Sequence, residues 1–141
     1  MPGFLLDTNV VSEMVRPQSE RRVLDWMAGQ LPANLYLSAV TFGELIRGVR
    51  RLPAGQRRDR LQHWVEVELS GQFDGRILPF DRQAAALWGG LMAASDRRGR
   101  PLAAIDAQIA ATALLHDLVM ATRDVADFGA ARVPVVNPWR D

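Results

Sequence analysis

The sequence predicts an α/β domain built around a mostly parallel β-sheet. Four or five short apolar runs do not alternate with polar residues, a pattern typical of strands that are covered on both faces. Longer segments with helical character lie between these runs, and alternating strands and helices are typical of parallel sheets. The candidate strands are Phe4–Leu6, Leu35–Leu37, Arg76–Leu78, Leu118–Ala121 and Val133–Val136.

The helical segments are recognised by the spacing of their apolar residues and by composition. In the segment 41–51, Phe42, Leu45 and Val49 recur at helical spacing. The segment 104–115 is rich in alanine, which is the best helix former. The predicted helices are Val10–Val15, Val23–Ala28, Thr41–Arg51, Arg57–Leu69, Arg82–Arg97 and Ala104–Leu115. Short breaks are predicted at 16–17, 52–55, 70–72, 98–101 and 133–134.

Length and composition indicate one globular domain over residues 1–141, with 48% hydrophobic and 23% charged residues. The chain has no cysteine, which excludes disulfides, zinc–thiolate sites, iron–sulfur clusters and a cysteine nucleophile, and fits a reducing cytoplasm. The net charge of +1 does not by itself indicate a nucleic-acid or membrane partner. No membrane-spanning segment is predicted, because the uncharged run that ends at Gly43 contains Pro32 and several polar residues.

Four separate segments each place a carboxylate at the end of a predicted strand or at the start of a predicted helix. Asp7 follows the first strand, and Asp124 follows the strand that begins at Leu118. Glu44 and Asp106 are each expected in the first turn of a helix. Because ligands of open parallel sheets bind at the carboxyl ends of the strands, we expect these four side chains to lie together.

Each acid also has a structural interpretation. Asp7 could cap the first helix, and Glu44 and Asp106 could stabilise the positive ends of their helices. Asp124 and Asp127 could be a helix cap and a first-turn acid, and for Asp127 we favour that interpretation. The functional interpretation depends on the set, since Asp7 and Asp106 follow apolar residues and partly buried acids are rare unless they are paired or metal-bound.

Carboxylates that converge must become protonated, recruit arginines or bind a hard cation. Two of them at ~4 Å repel each other by about 4 kcal/mol at an effective dielectric constant near 20. Oxygen ligands without cysteine or a nearby histidine favour Mg²⁺ or Mn²⁺ over zinc. Such an ion can lower the pKa of a water, and a second ion can stabilise a leaving oxygen. The residues therefore predict a metal-dependent phosphodiesterase or nuclease.

All 17 basic residues are arginines, and one cluster of them follows Glu44 along the same predicted helix. We predict that Arg47 and Arg51 of this cluster contact substrate phosphates, which would add affinity but little sequence specificity. A solvated surface, capture of an acidic partner segment and neutralisation of the acidic site remain open alternatives. The four tryptophans form no ladder for stacking bases and are interpreted as core or interface anchors.

Five segments in this order carry a resemblance to a known family: Leu5–Asn9, Ser38–Leu45, Ile105–Ala113, Ala121–Phe128 and Val136–Trp139. Together they resemble the PIN domain, specifically the VapC/FitB-type toxins of bacterial type II toxin–antitoxin pairs. The resemblance covers essentially the whole chain. It implies a three-layer α/β/α fold with a central parallel sheet, and cleavage of RNA that depends on Mg²⁺ or Mn²⁺.

The resemblance also implies roles for individual residues. The acidic quartet of the family falls on Asp7, Glu44, Asp106 and Asp124, which would hold the metal and carry catalysis. Thr8 matches the hydroxyl residue that accompanies the first acid, and we assign it to substrate binding.

The implied partners are an RNA substrate, a second copy of the chain in a homodimer, and a VapB-type antitoxin whose tail blocks the site. The short helices that contain Met14 and Met27 could form a groove for an antitoxin helix, although these residues could equally belong to the core. A PIN nuclease of RNA processing and a non-catalytic RNA- or protein-binding module are the alternative functions.

Overall fold

Five short strands form one parallel sheet at the centre of the molecule. The computed structural model describes residues 3–99 and 101–141, and its sheet has the strand order β3-β2-β1-β4-β5, with each neighbouring pair parallel. The strands are β1 (Phe4–Leu6), β2 (Leu35–Ser38), β3 (Ile77–Leu78), β4 (Val119–Ala121) and β5 (Val135–Val136). The predicted α/β class, the parallel sheet and the approximate position of every strand are therefore confirmed.

The helices connect and cover the strands. They are α1 (Thr8–Ser12), α2 (Arg21–Ala28), α3 (Ala39–Arg50), α4 (Gln56–His63), α5 (Ser70–Gln72), α6 (Arg82–Arg98), α7 (Ala104–Leu115) and α8 (Val125–Gly129). A π-helical segment, Trp64–Leu69, joins α4 to α5, and a 3₁₀ turn, Pro32–Asn34, precedes β2. No helix within the described ranges combines the length and the apolar character needed to cross a membrane.

The predicted break at 70–72 is wrong, because the helical path continues through these residues. Leu69 and Phe73 are both buried and lie one helical turn apart, so continuing the helix keeps both side chains in the core. The chain turns instead at Gly75, whose φ of 76° is a left-handed conformation that glycine adopts without strain. The predicted break at 98–101 includes Arg100, which lies outside the described residues.

Two hydrophobic clusters lie on opposite faces of the sheet and make the fold three-layered. Leu6 packs with residues of α1, α2, α3 and the π-helical segment. Leu5 points to the other face and packs with residues of α6, α7 and α8. Adjacent residues of a strand point to opposite faces, and here both faces are buried, which explains why the strand sequences do not alternate.

The central strands bring distant parts of the chain to one edge of the sheet. β1 lies between β2 and β4, and Leu6 is in register with Ala121. The amide of Asp7 continues this pairing by donating to the carbonyl of Ala121 at 2.9 Å. The residues that follow β1 and β4 are therefore neighbours, although more than a hundred positions separate them in the chain.

Candidate functional site

Asp7 occupies the carboxyl end of β1 and is buried, with 5% of its surface exposed. Its Oδ1 accepts a hydrogen bond from the amide of Thr8 at 2.8 Å and thereby caps α1. Its Oδ2 accepts a hydrogen bond from the Thr122 hydroxyl at 2.7 Å. The capping interpretation of Asp7 is thus correct, and the second oxygen is fixed by a residue from a different strand.

Burial raises the pKa of the Asp7 carboxyl from 3.8 to about 6. The hydrogen bonds from Thr122 and Thr8 act in the opposite direction, and the charges of Asp106 and Asp124 contribute to this increase. These charges can act on Asp7 only because three chain segments meet here. Without a cation, the ionised form of Asp7 is destabilised by its surroundings.

Thr122 is a site residue that the sequence reasoning did not single out. Its side chain is fully buried, and its hydroxyl both donates to Asp7 Oδ2 and accepts from the amide of Asp124 at 2.9 Å. One hydroxyl therefore links the acid that follows β1 to the loop that carries the acid after β4. The available signal was a threonine directly after an apolar strand and two positions before an aspartate.

Glu44 lies in the second turn of α3 rather than in its first turn. The helix begins earlier than predicted, at Ala39, because the Ser38 side chain caps it by accepting from the amide of Val40 at 3.0 Å. Glu44 is half-buried, and its Oε1 accepts a hydrogen bond from the Thr8 hydroxyl at 2.7 Å. Thr8 therefore contacts both acids, Asp7 through its amide and Glu44 through its hydroxyl.

Asp106 lies in the first turn of α7, as predicted, and is half-buried. Burial raises the pKa of its carboxyl, and the charges of Asp127, Asp124 and Glu44 raise it further. Asp127 occupies the first turn of α8, as the structural interpretation expected. It also acts electrostatically on Asp106, so it belongs to the surroundings of the acidic site.

Asp124 is exposed at the mouth of the site. It precedes α8, but its side chain makes no capping hydrogen bond, so the capping interpretation of Asp124 is wrong. Its Oδ2 accepts instead from the side-chain amide of Asn9 at 3.2 Å. The side-chain oxygen of Asn9, Oδ1, is buried and receives no hydrogen bond from the described residues.

No arginine neutralises the quartet within residues 3–99 and 101–141. The ion pairs found there join Arg16 to Glu13 and Arg21 to Asp25. Arg47 and Arg51 are exposed and form no ion pair with the four acids, so the alternative in which they neutralise the site is not observed. Protonation and binding of a hard cation remain as ways to relieve the repulsion.

The side chains present fit Mg²⁺ or Mn²⁺ in their chemistry, since the atoms that could bind a metal here are oxygens. One of these oxygens, Asn9 Oδ1, is buried and receives no hydrogen bond from the described residues. In the described part of the chain, no three carboxylates or histidines are grouped closely enough to bind one ion directly. Mg²⁺ usually keeps several waters and needs only one or two protein carboxylates. Asp7 and Asp106 could serve as these, with Asp124 and Glu44 acting directly or through water.

Residues 4–133 match the sequence model of the PIN domain, and the chain therefore belongs to the PIN-domain family. It is 44% identical to toxin FitB of Neisseria gonorrhoeae over 98% of this chain and 99% of that protein. It is 42% identical to VapC ribonuclease Y4jK of Sinorhizobium fredii, with 96% and 97% covered. The crystal structure of FitAcB from Neisseria gonorrhoeae superimposes with a TM-score of 0.93 at 43% identity, covering 98% of this chain and 99% of that one.

Proposed function

We propose that the chain is a single-domain endoribonuclease that depends on Mg²⁺ or Mn²⁺, and that it is the toxin of a type II, VapBC-type toxin–antitoxin pair. The observation that carries this proposal is the convergence of four carboxylates from separate segments without an arginine counterion among the described residues. Membership of the PIN family, and relatives named as a toxin and as a VapC ribonuclease, support RNA as the substrate.

Asp7 and Asp106 would hold the ion, and Asp124 and Glu44 would complete its surroundings directly or through water. When bound, the divalent ion lowers the pKa of the attacking water and neutralises charge on the phosphate. Thr122 and the Thr8 amide fix both oxygens of Asp7. Water attacks the phosphorus in line while the bond from phosphorus to the leaving ribose oxygen breaks on the opposite side. The attacking water loses a proton to solvent and the leaving oxygen gains one, and no covalent enzyme intermediate forms.

The Thr8 hydroxyl has a positioning role in this proposal. It donates to Glu44 Oε1 and lies 3.4 Å from the Thr41 hydroxyl, so the Glu44 carboxylate is directed by its neighbours. A carboxylate that is already oriented does not have to be ordered during the reaction, which favours the transition state. Contact between Thr8 and the substrate remains a prediction, as do the phosphate contacts of Arg47 and Arg51.

The proposed protein partners are a second copy of the chain and a VapB-type antitoxin. A cleft of about 450 Å³ lies where the antitoxin groove was predicted. Met14, Leu24, Met27, Leu35 and Phe73 are among the residues that line it. These apolar walls suit the apolar face of an amphipathic helix.

The direct test is an RNA-cleavage assay on protein that has been purified free of any partner. We expect cleavage of single-stranded RNA with Mg²⁺ or Mn²⁺, and no cleavage with a chelator. Expression in bacteria should arrest growth, and the protein encoded by the neighbouring gene should relieve the arrest. Cleavage without growth arrest would indicate an RNA-processing nuclease, and metal-independent or absent cleavage would contradict the proposed activity.

A further inference from the structure

A polar cleft of about 710 Å³ adjoins the acidic site and is outside the function assigned so far. Asp124, one of the four acids, and Asp127 are among the residues that line it, so the cleft borders the acidic site. Arg22 and Arg123 line the cleft together with Trp139 and Arg140 of the segment that follows β5. Trp139 and Arg140 lie beyond residue 133, where the match to the PIN-domain model ends. Part of this cleft therefore lies outside the segment that matches the PIN-domain model.

The segment after β5 is held in a defined turn. Asn137 is buried, and its side-chain Oδ1 accepts a hydrogen bond from the backbone amide of Trp139 at 2.9 Å. The backbone amide of Asn137 donates to Asp141 Oδ2 at 2.9 Å. The amides of Arg140 and Asp141 donate to the Asn137 carbonyl. The Arg22 guanidinium donates to the Arg140 carbonyl and ties the turn to α2. The wall of the cleft is thus fixed before any ligand binds.

The cleft combines cationic side chains with an aromatic ring. The Arg123 guanidinium lies over the Trp139 ring, 5.2 Å from its centroid, in a cation–π arrangement. Arg22, Arg123 and Arg140 are exposed, and none of them forms an ion pair with a carboxylate in the described part of the chain. These charges remain available to an anionic ligand, although three carboxylates, those of Glu20, Asp124 and Asp127, line the same cleft. Arg123 also acts electrostatically on Glu13.

A phosphodiester strand must come close to a cluster of carboxylates in order to be cut. Cations beside the cluster lower the electrostatic cost of that approach and raise the local concentration of the substrate. Guanidinium planes and aromatic rings also stack unpaired bases, and such stacking tolerates any base. The arrangement fits single-stranded RNA better than an apolar peptide helix, which would need an apolar groove.

We infer that this cleft binds the single-stranded RNA on one side of the scissile phosphate. Arg123 and Arg140 contact its phosphates, and one base stacks on the Arg123–Trp139 pair. The inference rests on the proposed ribonuclease function, and it gives Trp139 a role that the sequence analysis did not foresee. It also predicts little sequence preference at this subsite, because phosphate contacts and stacking do not read base edges.

The test is binding of a fluorescein-labelled single-stranded RNA to the full chain in chelator, measured by anisotropy at several salt concentrations. Exchanging both arginines, Arg123→Gln and Arg140→Gln, should weaken binding about tenfold and reduce the salt slope by about 0.7 per arginine. Arg132→Gln is the matched control, since this exposed arginine precedes β5, whereas the cleft residues Trp139 and Arg140 follow it, and Arg132 does not line the cleft. The control should bind RNA like the wild type.

Stacking is tested separately with RNA that contains abasic sites. The abasic strand should bind the wild type several-fold more weakly than the intact strand, and this difference should disappear in Arg123→Gln. Trp139 packs partly in the core, so Trp139→Leu is informative only if its melting temperature matches that of the wild type. If that variant is destabilised, Arg123→Gln with the abasic strand still decides the question.

Three results would overturn the inference. They are wild-type affinity in the double variant, equal affinity for a duplex of the same sequence, and loss of affinity for the protein of the neighbouring gene while RNA binding is unchanged. Because binding is measured without cleavage, these results are independent of nuclease activity. Cleavage of RNA with unchanged binding by the double variant would reject the cleft and leave the proposed function intact. If the double variant binds RNA more weakly but the wild type does not cleave RNA, the cleft is supported and the proposed ribonuclease function is rejected.

Discussion

Replacing Asp7 or Asp106 with asparagine should abolish RNA cleavage while leaving the fold intact. Both residues lie at the proposed ion, and amide oxygens are much weaker ligands for a hard cation than carboxylates. A bound metal contributes several kcal/mol to the stabilisation of the transition state. Since about 1.4 kcal/mol corresponds to a factor of ten, we expect the rate to fall roughly a thousandfold or more.

The control for this prediction is Asp74→Asn. Asp74 is exposed in the turn that precedes β3, so it lies at the opposite edge of the sheet from the site. Initial rates are measured with Mn²⁺ on the same RNA, and melting temperatures confirm folding. Full activity in both Asp7→Asn and Asp106→Asn would disprove the assignment of these acids to the metal.

The metal-free protein should lose stability as the pH rises from about 4 to about 7. Burial raises the pKa of Asp7 from 3.8 to about 6, so the folded state holds a proton that the unfolded state has already released. The stabilising effect of that proton is complete below the unfolded-state pKa, and it is lost as the pH rises through the folded-state pKa. A difference of about two pKa units corresponds to about 3 kcal/mol. Asp106 adds to the effect in the same direction, because its pKa is also raised.

The contribution of Asp7 is isolated by comparing the wild type with Asp7→Asn in denaturant unfolding with a chelator present. The free energy of unfolding of the wild type should fall relative to the variant by about 3 kcal/mol between the two pH values. Saturating Mn²⁺ should restore stability to the wild type at pH 7 and much less to the variant, since binding to the folded state stabilises it. Parallel pH profiles for the two proteins would contradict the buried-acid account.

The fold could be predicted well because its strands are buried on both faces. Leu5 and Leu6 are both apolar because each packs in a different hydrophobic cluster. The other strands are also covered on both faces, so they can be recognised in the sequence as apolar runs. The helical end at Gln72 was less predictable. There the tertiary contacts of Leu69 and Phe73 outweigh the local tendency of Ser70 and Gly71 to end a helix.

The acids of the site could be predicted because each lies at the end of a strand or near the start of a helix, and burial could be predicted where the acid follows an apolar segment. Asp7 and Asp106 satisfy that condition, and their raised pKa values agree with the expected burial. Thr122 and Trp139 could not be assigned in this way, because their roles depend on β4 lying between β1 and β5. The sequence of a strand does not determine which strands lie beside it, so contacts between residues of neighbouring strands can be identified only from the structure.

The central claim is that carboxylates from four segments share a divalent cation. It is tested most directly by a crystal structure of the partner-free protein grown with Mn²⁺, with data collected for anomalous scattering. We expect an anomalous peak between the Asp7 and Asp106 carboxylates, with Asp124 and Glu44 within direct or water-mediated reach. Ordered carboxylates with no peak among them at saturating Mn²⁺ would contradict the claim.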